Sequence, residues 1–488
     1  MPRAHRLRAR DVVLVLGMTL PGGCAAVRPF DNAPPSPDRP WKAPDLPAYS
    51  TALTATERAR ETAVSIDAAK TYGLSELIDI AQRTNPETRV AWEKARQAAI
   101  AIGLAEGSYY PALAAVATGA VAHVPIPIPT TVIPGGIFTA DTQFVIPVLS
   151  LEWLLLDFGR RSALVDAARA VTMAATAGFN AKHQQIVFEV TREFHSLTAV
   201  RGKVAAARAA LAAARSLEDS ANARKEHELA TLPEVLQARE ETARATYDLE
   251  DAVATEHDAR LALVESIGLR PGTPIDIADV SQEPLPPALE ESVDEAIDRA
   301  LAQRPDLIAR LADVRAKEAE VRQARADFWP KLAARTAVGA NIGQLKVEDS
   351  AYQSVNELQY DAGFRFEWSL FEGFERRNKL HLAESMQHEA EDELDHAKDK
   401  AVREVWKAYD DTKVALAKHR AAAALLVASE KAWAATLESY QNGLATFPDV
   451  RESERNVARA RTLDQAARAE VLTRAAAFAF STGDLARP

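Results

Sequence analysis

The chain has 488 residues, of which 47% are hydrophobic and 26% charged, and it contains one cysteine. A single cysteine excludes a disulfide scaffold, a thiolate zinc cluster and a Cys-x-x-Cys redox site. The ordinary charged fraction argues against global disorder, and the formal net charge of −11 argues against a general nucleic-acid-binding role. No apolar run is long enough for a membrane-spanning helix, whereas the short alternating strands of a membrane β-barrel are not excluded.

The N-terminus has the pattern of a bacterial export signal. Four arginines precede a short apolar stretch from Val12 to Leu20, and residues 1–23 are predicted to form the signal peptide. Cys24 stands where a lipoprotein signal places its lipid-accepting thiol, so we predict its lipidation; an ordinary cleaved signal is the alternative. Residues 24–70 are rich in proline and predict an extended leader.

The rest of the chain carries one pattern twice. Four blocks recur in the same order 215 or 219 positions further along: residues 76–86, 110–113, 152–153 and 229–235. Such ordered recurrence indicates a duplicated supersecondary unit. We therefore predict a first repeat over 71–284 and a second over 285–488, joined at a proline-rich stretch.

Each repeat predicts a helix, two strands and a long helical hairpin. In the second repeat, residues 290–327 have a helical pattern, and period-two alternation follows within about 330–372. One face of the second alternating stretch is apolar and aromatic, and the other is polar. This pattern fits a strand between lipid and water, although a soluble sheet packed on a core gives it too. The matching strands of the first repeat lie within about 111–153.

The helical hairpins are long and have recognisable turns. No glycine or proline occurs in the 68 residues between Phe374 and Gly443, which predicts a helix of roughly 100 Å. Gly443 suits the left-handed residue that ends a helix, and Thr446 with Asp449 predicts a capping box. In the first repeat Glu228 replaces the glycine, so a different helix end is expected there.

The order and duplication of these elements resemble the TolC-like outer-membrane efflux channel family over about residues 71–485. The motifs that carry the resemblance are residues 85–87, 304–306, 110–111, 329–330, 153–160, 368–373, 440–444 and 267–274. The resemblance implies a mainly α-helical fold with a small membrane β-barrel contribution. In it, a homotrimer shares one twelve-stranded barrel in the outer membrane, and the long helices form a periplasmic tunnel.

The resemblance also implies a function and partners. The chain would be the passive exit duct of a tripartite efflux or secretion system, without cofactor and without enzymatic activity. It would dock onto a periplasmic membrane-fusion adaptor of an inner-membrane transporter. Gly443 and Leu444, with Leu229, match the adaptor-contact positions at the periplasmic tip, although these residues also simply shape the turns.

Further positions match the narrow entrance of the family's tunnel. Asp449 and Glu452 match acidic residues one helical turn apart, so three chains would place six carboxylates around one axis and attract cations. Asp449 can alternatively serve only as a helix cap, and Glu452 has no such role. Tyr440 and Glu234 match positions that link the two hairpins and hold the entrance shut. A basic residue expected after the tip glycine is absent, since Ala445 stands there.

One other hypothesis competes with the outer-membrane duct. A soluble periplasmic adaptor or coiled-coil scaffold also has long hairpins, but adaptors usually have one hairpin inserted in a β-domain rather than two. His381, His388 and His396 lie seven and eight residues apart, too far along a helix to share a metal ion. No nucleophile elbow, P-loop or dinucleotide fingerprint occurs, so an enzyme has no residues to support it.

Overall fold

The computed structural model describes residues 66–127, 137–279, 285, 288–289, 291–348 and 350–485. Cys24, the predicted signal peptide and most of the predicted leader lie outside these residues. The first repeat contains β1 (Thr71–Tyr72), α1 (Leu74–Thr84), α2 (Pro86–Gly107), β2 (Ala112–Pro127), β3 (Ile137–Leu156), α3 (Arg160–Glu226) and α4 (Leu232–Ile267). The second contains β4 (Asp276–Ile277), α5 (Val293–Gln303), α6 (Pro305–Ala326), β5 (Lys331–Val347), β6 (Gln353–Glu367), α7 (Glu375–Gln441) and α8 (Phe447–Thr482).

The helices of the two repeats match residue for residue in length. Helices α1 and α5 have 11 residues, and α2 and α6 have 22. Helices α3 and α7 both have 67 residues, and α4 and α8 both have 36. The predicted long uninterrupted helices are confirmed. None of the helices in the described part combines the length and apolar character needed to cross a membrane.

A sharp corner separates the first two helices of each repeat. Asn85 precedes Pro86 and Arg304 precedes Pro305, and both cap residues have extended backbone at φ −63°. Proline disfavours helical geometry in the residue before it, so the helix stops and restarts. The single helix expected over 290–327 is therefore wrong, because α5 and α6 meet at Arg304.

The four long strands form one antiparallel sheet in the order β2-β3-β5-β6. The β2–β3 and β5–β6 hairpins are continuous in register, and β3 pairs with β5 from Ala140–Val347 to Leu156–Leu332. Among the described residues β2 and β6 each have a partner strand on one side only. Tyr360 and Phe364 on one face of β6 are 81% and 76% exposed, so the sheet presents apolar aromatic surface rather than burying it.

The largest apolar core lies beside the short parallel pair β1–β4. It joins the middle of α3 to α1 and the end of α4, and its buried members are Tyr72, Leu77, Ala81, Ile186, Val190, Phe194, Leu197, Leu263, Val264, Ile267, Ile275 and Ile277. Elsewhere many of the buried positions on the helices are alanines, which let helices approach closely. Smaller apolar clusters lie elsewhere along the long helices.

Candidate functional site at the helical turns

The two helical turns fold in the same way. At the α7–α8 turn the Gly443 amide donates to the Tyr440 carbonyl, and the Leu444 amide donates to Ser439. At the α3–α4 turn the Glu228 and Leu229 amides donate in the same pattern, to Lys225 and Arg224. This is the Schellman arrangement, in which the residue after the helix is left-handed.

Glu228 takes the conformation for which its counterpart is a glycine. Its φ is 60°, and the φ of Gly443 is 74°. The expectation that the first helix ends differently is therefore wrong. A side chain in this region is strained by about 1–2 kcal/mol, because its Cβ crowds the following carbonyl. The first turn keeps the geometry and carries the strain.

The second turn is completed by the predicted capping box. The Asp449 carboxylate accepts from the Thr446 amide at 2.9 Å and from the Thr446 hydroxyl at 2.5 Å. These bonds from Thr446 hold the pKa of Asp449 below its ordinary value. At the first turn Thr231 is the N-cap, and the contacts described there include no capping box with Glu234.

Tyr440 connects the two hairpins. It is buried, its ring meets that of Phe447 edge-on at 6.3 Å, and the Arg224 guanidinium of α3 lies 4.7 Å from its ring centre. The surrounding apolar cluster contains Ala221, Val235, Ala238, Tyr440, Phe447 and Val450. This tip cluster draws on all four long helices and packs the two turns together.

Glu234 lies close enough to act electrostatically on Tyr440. Burial raises the pKa of the Tyr440 hydroxyl, the Glu234 charge raises it further, and Arg224 opposes the shift. The two residues selected from the sequence as a gating pair are therefore neighbours across the hairpins. Sequence reasoning missed Arg224, because its distance from Tyr440 along the chain hides the contact.

The outer surface of the turns is apolar and exposed. Leu444 is 83% exposed and Leu229 is 68% exposed. Leu232 and Leu236 on the first turn of α4 add to this surface, each more than half exposed, although the sequence analysis did not select them. Solvent-facing leucines at the end of a hairpin are typical of an interaction surface, and the adaptor contact expected for Leu229 and Leu444 stays a prediction.

Glu452 lies one turn along α8 from Asp449 and is exposed. Its charge acts on Arg455, whose pKa is raised chiefly by its bond to Glu241. Asp449 is committed to Thr446, whereas no capping bond involves Glu452 among the described residues. The role of both carboxylates in a tunnel entrance stays a prediction for the assembled protein.

A second layer of polar contacts lies behind the tip cluster. Arg455 of α8 donates from Nε to Glu241 of α4 at 3.0 Å and from a terminal nitrogen to the other carboxylate oxygen. Glu454 beside it is buried, and burial followed by repulsion from Glu241 raises its pKa to about 7. The sequence did not predict these three residues, because no local pattern indicates that Arg455 and Glu241, 214 residues apart, form a pair.

No group of three or more histidine, cysteine or carboxylate side chains suited to a metal ion occurs within the described residues. His381, His388 and His396 lie on α7, where His381 contacts Glu384 at 3.5 Å. The structure therefore does not bring these histidines together.

Comparison with known proteins decides the family. A model of the outer membrane efflux protein family matches residues 77–269 and 296–484, one segment in each repeat. The chain belongs to the outer membrane efflux protein family. The resemblance found from the sequence is thereby confirmed, and with it an outer-membrane location.

Individual members of this efflux family are distant in sequence and similar in structure. Protein CyaE of Bordetella pertussis is 26% identical over 424 residues, covering 85% of this chain and 84% of CyaE. The CmeC outer membrane channel of Campylobacter jejuni matches with a TM-score of 0.71 at 17% identity, covering 84% of this chain and 85% of CmeC.

VceC of Vibrio cholerae, also an outer membrane protein, matches with a TM-score of 0.68 at 20% identity, covering 84% of this chain and 96% of VceC. The predicted fold class, mainly helical with long strands in a duplicated unit, is confirmed. The family is one of channels rather than enzymes, and the alternative of a soluble adaptor or scaffold is not supported.

Proposed function

We propose that the protein is the outer-membrane exit duct of a tripartite efflux or secretion system and works as a homotrimer. The observation that carries this proposal is the four-stranded sheet with its two unpaired edges, β2 and β6, and its exposed apolar face. An open sheet edge is not tolerated in lipid, so four strands from one chain need further copies to close a barrel. Three chains give twelve strands.

Each segment of the chain has its own role in the proposed duct. Residues 1–23 act as the export signal, with lipidation at Cys24, and residues 24–70 form the leader. The repeats over 71–284 and 285–488 each give one strand pair to the barrel and one helical hairpin to the periplasmic tunnel. The chain supplies a conduit and no catalytic group, so the energy for transport comes from its partner.

The exposed leucines at the turns are the proposed docking surface for a periplasmic adaptor of an inner-membrane transporter. Leu444 and Leu229 would be covered on docking, and Gly443 keeps the turn narrow. Covering exposed leucines on docking would remove apolar surface from water, which favours association. Their exposure in the undocked chain supports this assignment.

Asp449 and Glu452 are the proposed constriction at the tunnel entrance, and Tyr440 with Glu234 is the proposed gating contact. Three exposed Glu452 side chains around one axis would favour cations over anions. The tip cluster supports the gating assignment, because separating the hairpins would expose Tyr440 and Phe447 to water.

The test is single-channel recording of the full-length protein, purified from outer membranes, in planar lipid bilayers. Cation-selective pores whose selectivity falls in Glu452→Ala, but not in the control Glu250→Ala on exposed α4 surface, support duct and constriction together. Pores whose ion selectivity is unchanged in Glu452→Ala would support the duct and contradict the proposed constriction. Absence of pores, together with solubility without detergent, would overturn the duct.

The docking surface is tested separately in cells of the native host. Leu444→Asp should abolish efflux or secretion while leaving bilayer conductance and trimer content on gels unchanged. The matched control is Leu382→Ser, at an exposed leucine of α7 far from the turns. Equal loss of transport in both variants would contradict a specific role for the tip.

A further inference from the structure

Helices α3, α4 and α8 together line a cavity of about 250 Å³. Its walls are formed by Ala207, Ala210, Ala214, Glu241, Arg244, Ala245, Asp248, Glu454, Arg455 and Ala458. Glu454 is only 8% exposed, and its Oε2 atom has no hydrogen-bond partner among the described residues. A buried carboxyl oxygen without a partner costs much more free energy when the group is ionised than when it is protonated.

The charged groups around Glu454 come from two of the helices. Helix α4 contributes Glu241, Arg244 and Asp248 to the cavity, and α8 itself contributes Arg455. Helix α3 contributes only alanines.

On α7 the Glu430 carboxylate pairs with Arg461, which lies two turns beyond Glu454 on α8. The cation whose charge acts on Glu454, Arg455, is already engaged by both oxygens of Glu241. The Glu241 carboxylate therefore takes the partner that Glu454 would need for its own charge.

In this arrangement Glu454 loses its proton at near-neutral pH. Burial raises its pKa most, repulsion from Glu241 adds to the shift, and Arg455 opposes it, giving a pKa of about 7. Once exposed to water, the group would return to an ordinary glutamate pKa near 4.3. The packed arrangement is therefore favoured below the ordinary pKa, and that advantage is lost as pH rises through about 7.

We propose that Glu454 is a proton-dependent link between the two hairpins, protonated while α8 is packed on α3 and α4, and released when it ionises. Ionisation would draw water into the cavity and loosen α8 directly beside the proposed entrance, within about a turn and a half of Asp449 and Glu452. The consequence for conduction rests on the proposed channel function, but the loosening itself does not. Acidic pH keeps the hairpins joined, and alkaline pH frees them.

The link is tested first without reference to conduction. Hydrogen exchange of the full-length protein in detergent is measured at pH 6 and pH 8, with protection factors corrected for intrinsic exchange. Protection over residues 447–461 should fall by about tenfold at pH 8. Between pH 6 and a pKa of about 7 only the opened state loses the proton, so the one pH unit in that interval changes the opening equilibrium about tenfold. Glu454→Gln should remove this fall, and Glu250→Gln should retain it. A pH-independent wild type, or an equal fall in Glu454→Gln, overturns the proposal.

A second variant covers the case in which Glu454→Gln does not fold. Glu241→Gln removes the repelling charge and frees Arg455 for Glu454, so the midpoint of the protection change should move to lower pH. A midpoint that stays in place or rises would overturn the proposed electrostatics.

Conduction is tested last, in planar bilayers at the same two pH values. Wild type and Glu250→Gln should show severalfold higher open probability at pH 8, and Glu454→Gln should not. Where protection changes but no pore forms at either pH, the channel function fails and the link stands. Where pores form but protection does not respond to pH, the link fails and the channel stands.

Discussion

Arg455 of α8 binds both carboxylate oxygens of Glu241 of α4, and so ties the second hairpin to the first behind the turns. Glu241 is the more enclosed partner, with its side chain 12% exposed against 34% for Arg455. A two-point, partly buried ion pair exceeds an ordinary surface pair. In a double-mutant cycle of Arg455→Gln and Glu241→Gln, we expect a coupling free energy of about 1–2 kcal/mol, measured from trimer stability in detergent.

The control for this cycle is the pair of Lys398 and Asp395 on α7. Their side chains are 47% and 75% exposed, so solvent screens their attraction. Their cycle should give about 0.3 kcal/mol or less. Equal couplings for the two pairs would show that the Arg455 contact has no special role in joining the hairpins.

Glu228 offers a simple gain in stability. Its φ of 60° is strained for a glutamate and free of strain for a glycine. Glu228→Gly should stabilise the protein by about 0.5–1 kcal/mol, the relief of strain less the added freedom of the unfolded chain. At the second turn, Gly443→Ala should destabilise by about 1 kcal/mol, because nothing lies within 4 Å of the added Cβ and only strain acts. Thermal unfolding that moves both variants in one direction would contradict this account.

Gly268 is needed for space as well as for backbone angle. Its φ is 82°, and an added Cβ would lie 2.7 Å from the Cα atom of Asn85 at the α1–α2 corner. Gly268→Ala should therefore cost about 3 kcal/mol, from strain plus overlap with backbone that cannot move aside. Gly272 has a φ of 92° and open space around it, so Gly272→Ala should cost only about 1 kcal/mol. Circular dichroism melts that rank the two variants equally would rule out the overlap.

The two possible roles of Asp449 can be separated through Thr446. Thr446→Ala removes the hydroxyl bond to Asp449 and keeps the bond from the backbone amide, and it should lower stability by about 1 kcal/mol without changing ion selectivity. Asp449→Asn should lower selectivity as well if the carboxylate also lines the entrance. The pKa of Asp449 is depressed in the folded chain, so its capping stabilises above the ordinary aspartate pKa and is lost as pH falls through the lower value. The melting temperatures of Thr446→Ala and wild type should therefore converge in acid. A difference in melting temperature that stays constant with pH would show that the charge of Asp449 does not contribute to the cap.

The sequence predicts the fold well where the signals are local or repeated. The absence of glycine and proline between Phe374 and Gly443 predicts α7, and the period-two alternation predicts β5 and β6. The helical pattern alone gives no break at Arg304, because one extended residue hardly alters the composition around it, whereas the family motif at residues 304–306 marks a helix start there. The Glu228 turn was misjudged because tertiary packing at the tip imposes a geometry that its own residue disfavours.

In the candidate site, too, the sequence predicts short-range patterns and does not predict contacts between distant residues. The capping box of Thr446 and Asp449 is a short-range pattern and can be identified by spacing alone. The contacts of Arg224 with Tyr440, and of Glu241 with Arg455, join residues more than 200 positions apart. Only the folded arrangement of the two hairpins brings such partners together, so composition and periodicity carry no trace of them.

The equal lengths of α3 and α7, and of α4 and α8, restrict how this chain can change. Deleting one residue from α7 alone would shift its turn by about 1.5 Å and rotate it by about 100° relative to the turn of α3. Tyr440 would then leave the tip cluster, and Arg455 would no longer face Glu241. Insertions and deletions in the long helices are therefore expected to be accepted only as matched pairs, one in each repeat, so the two halves of the chain must vary in length together.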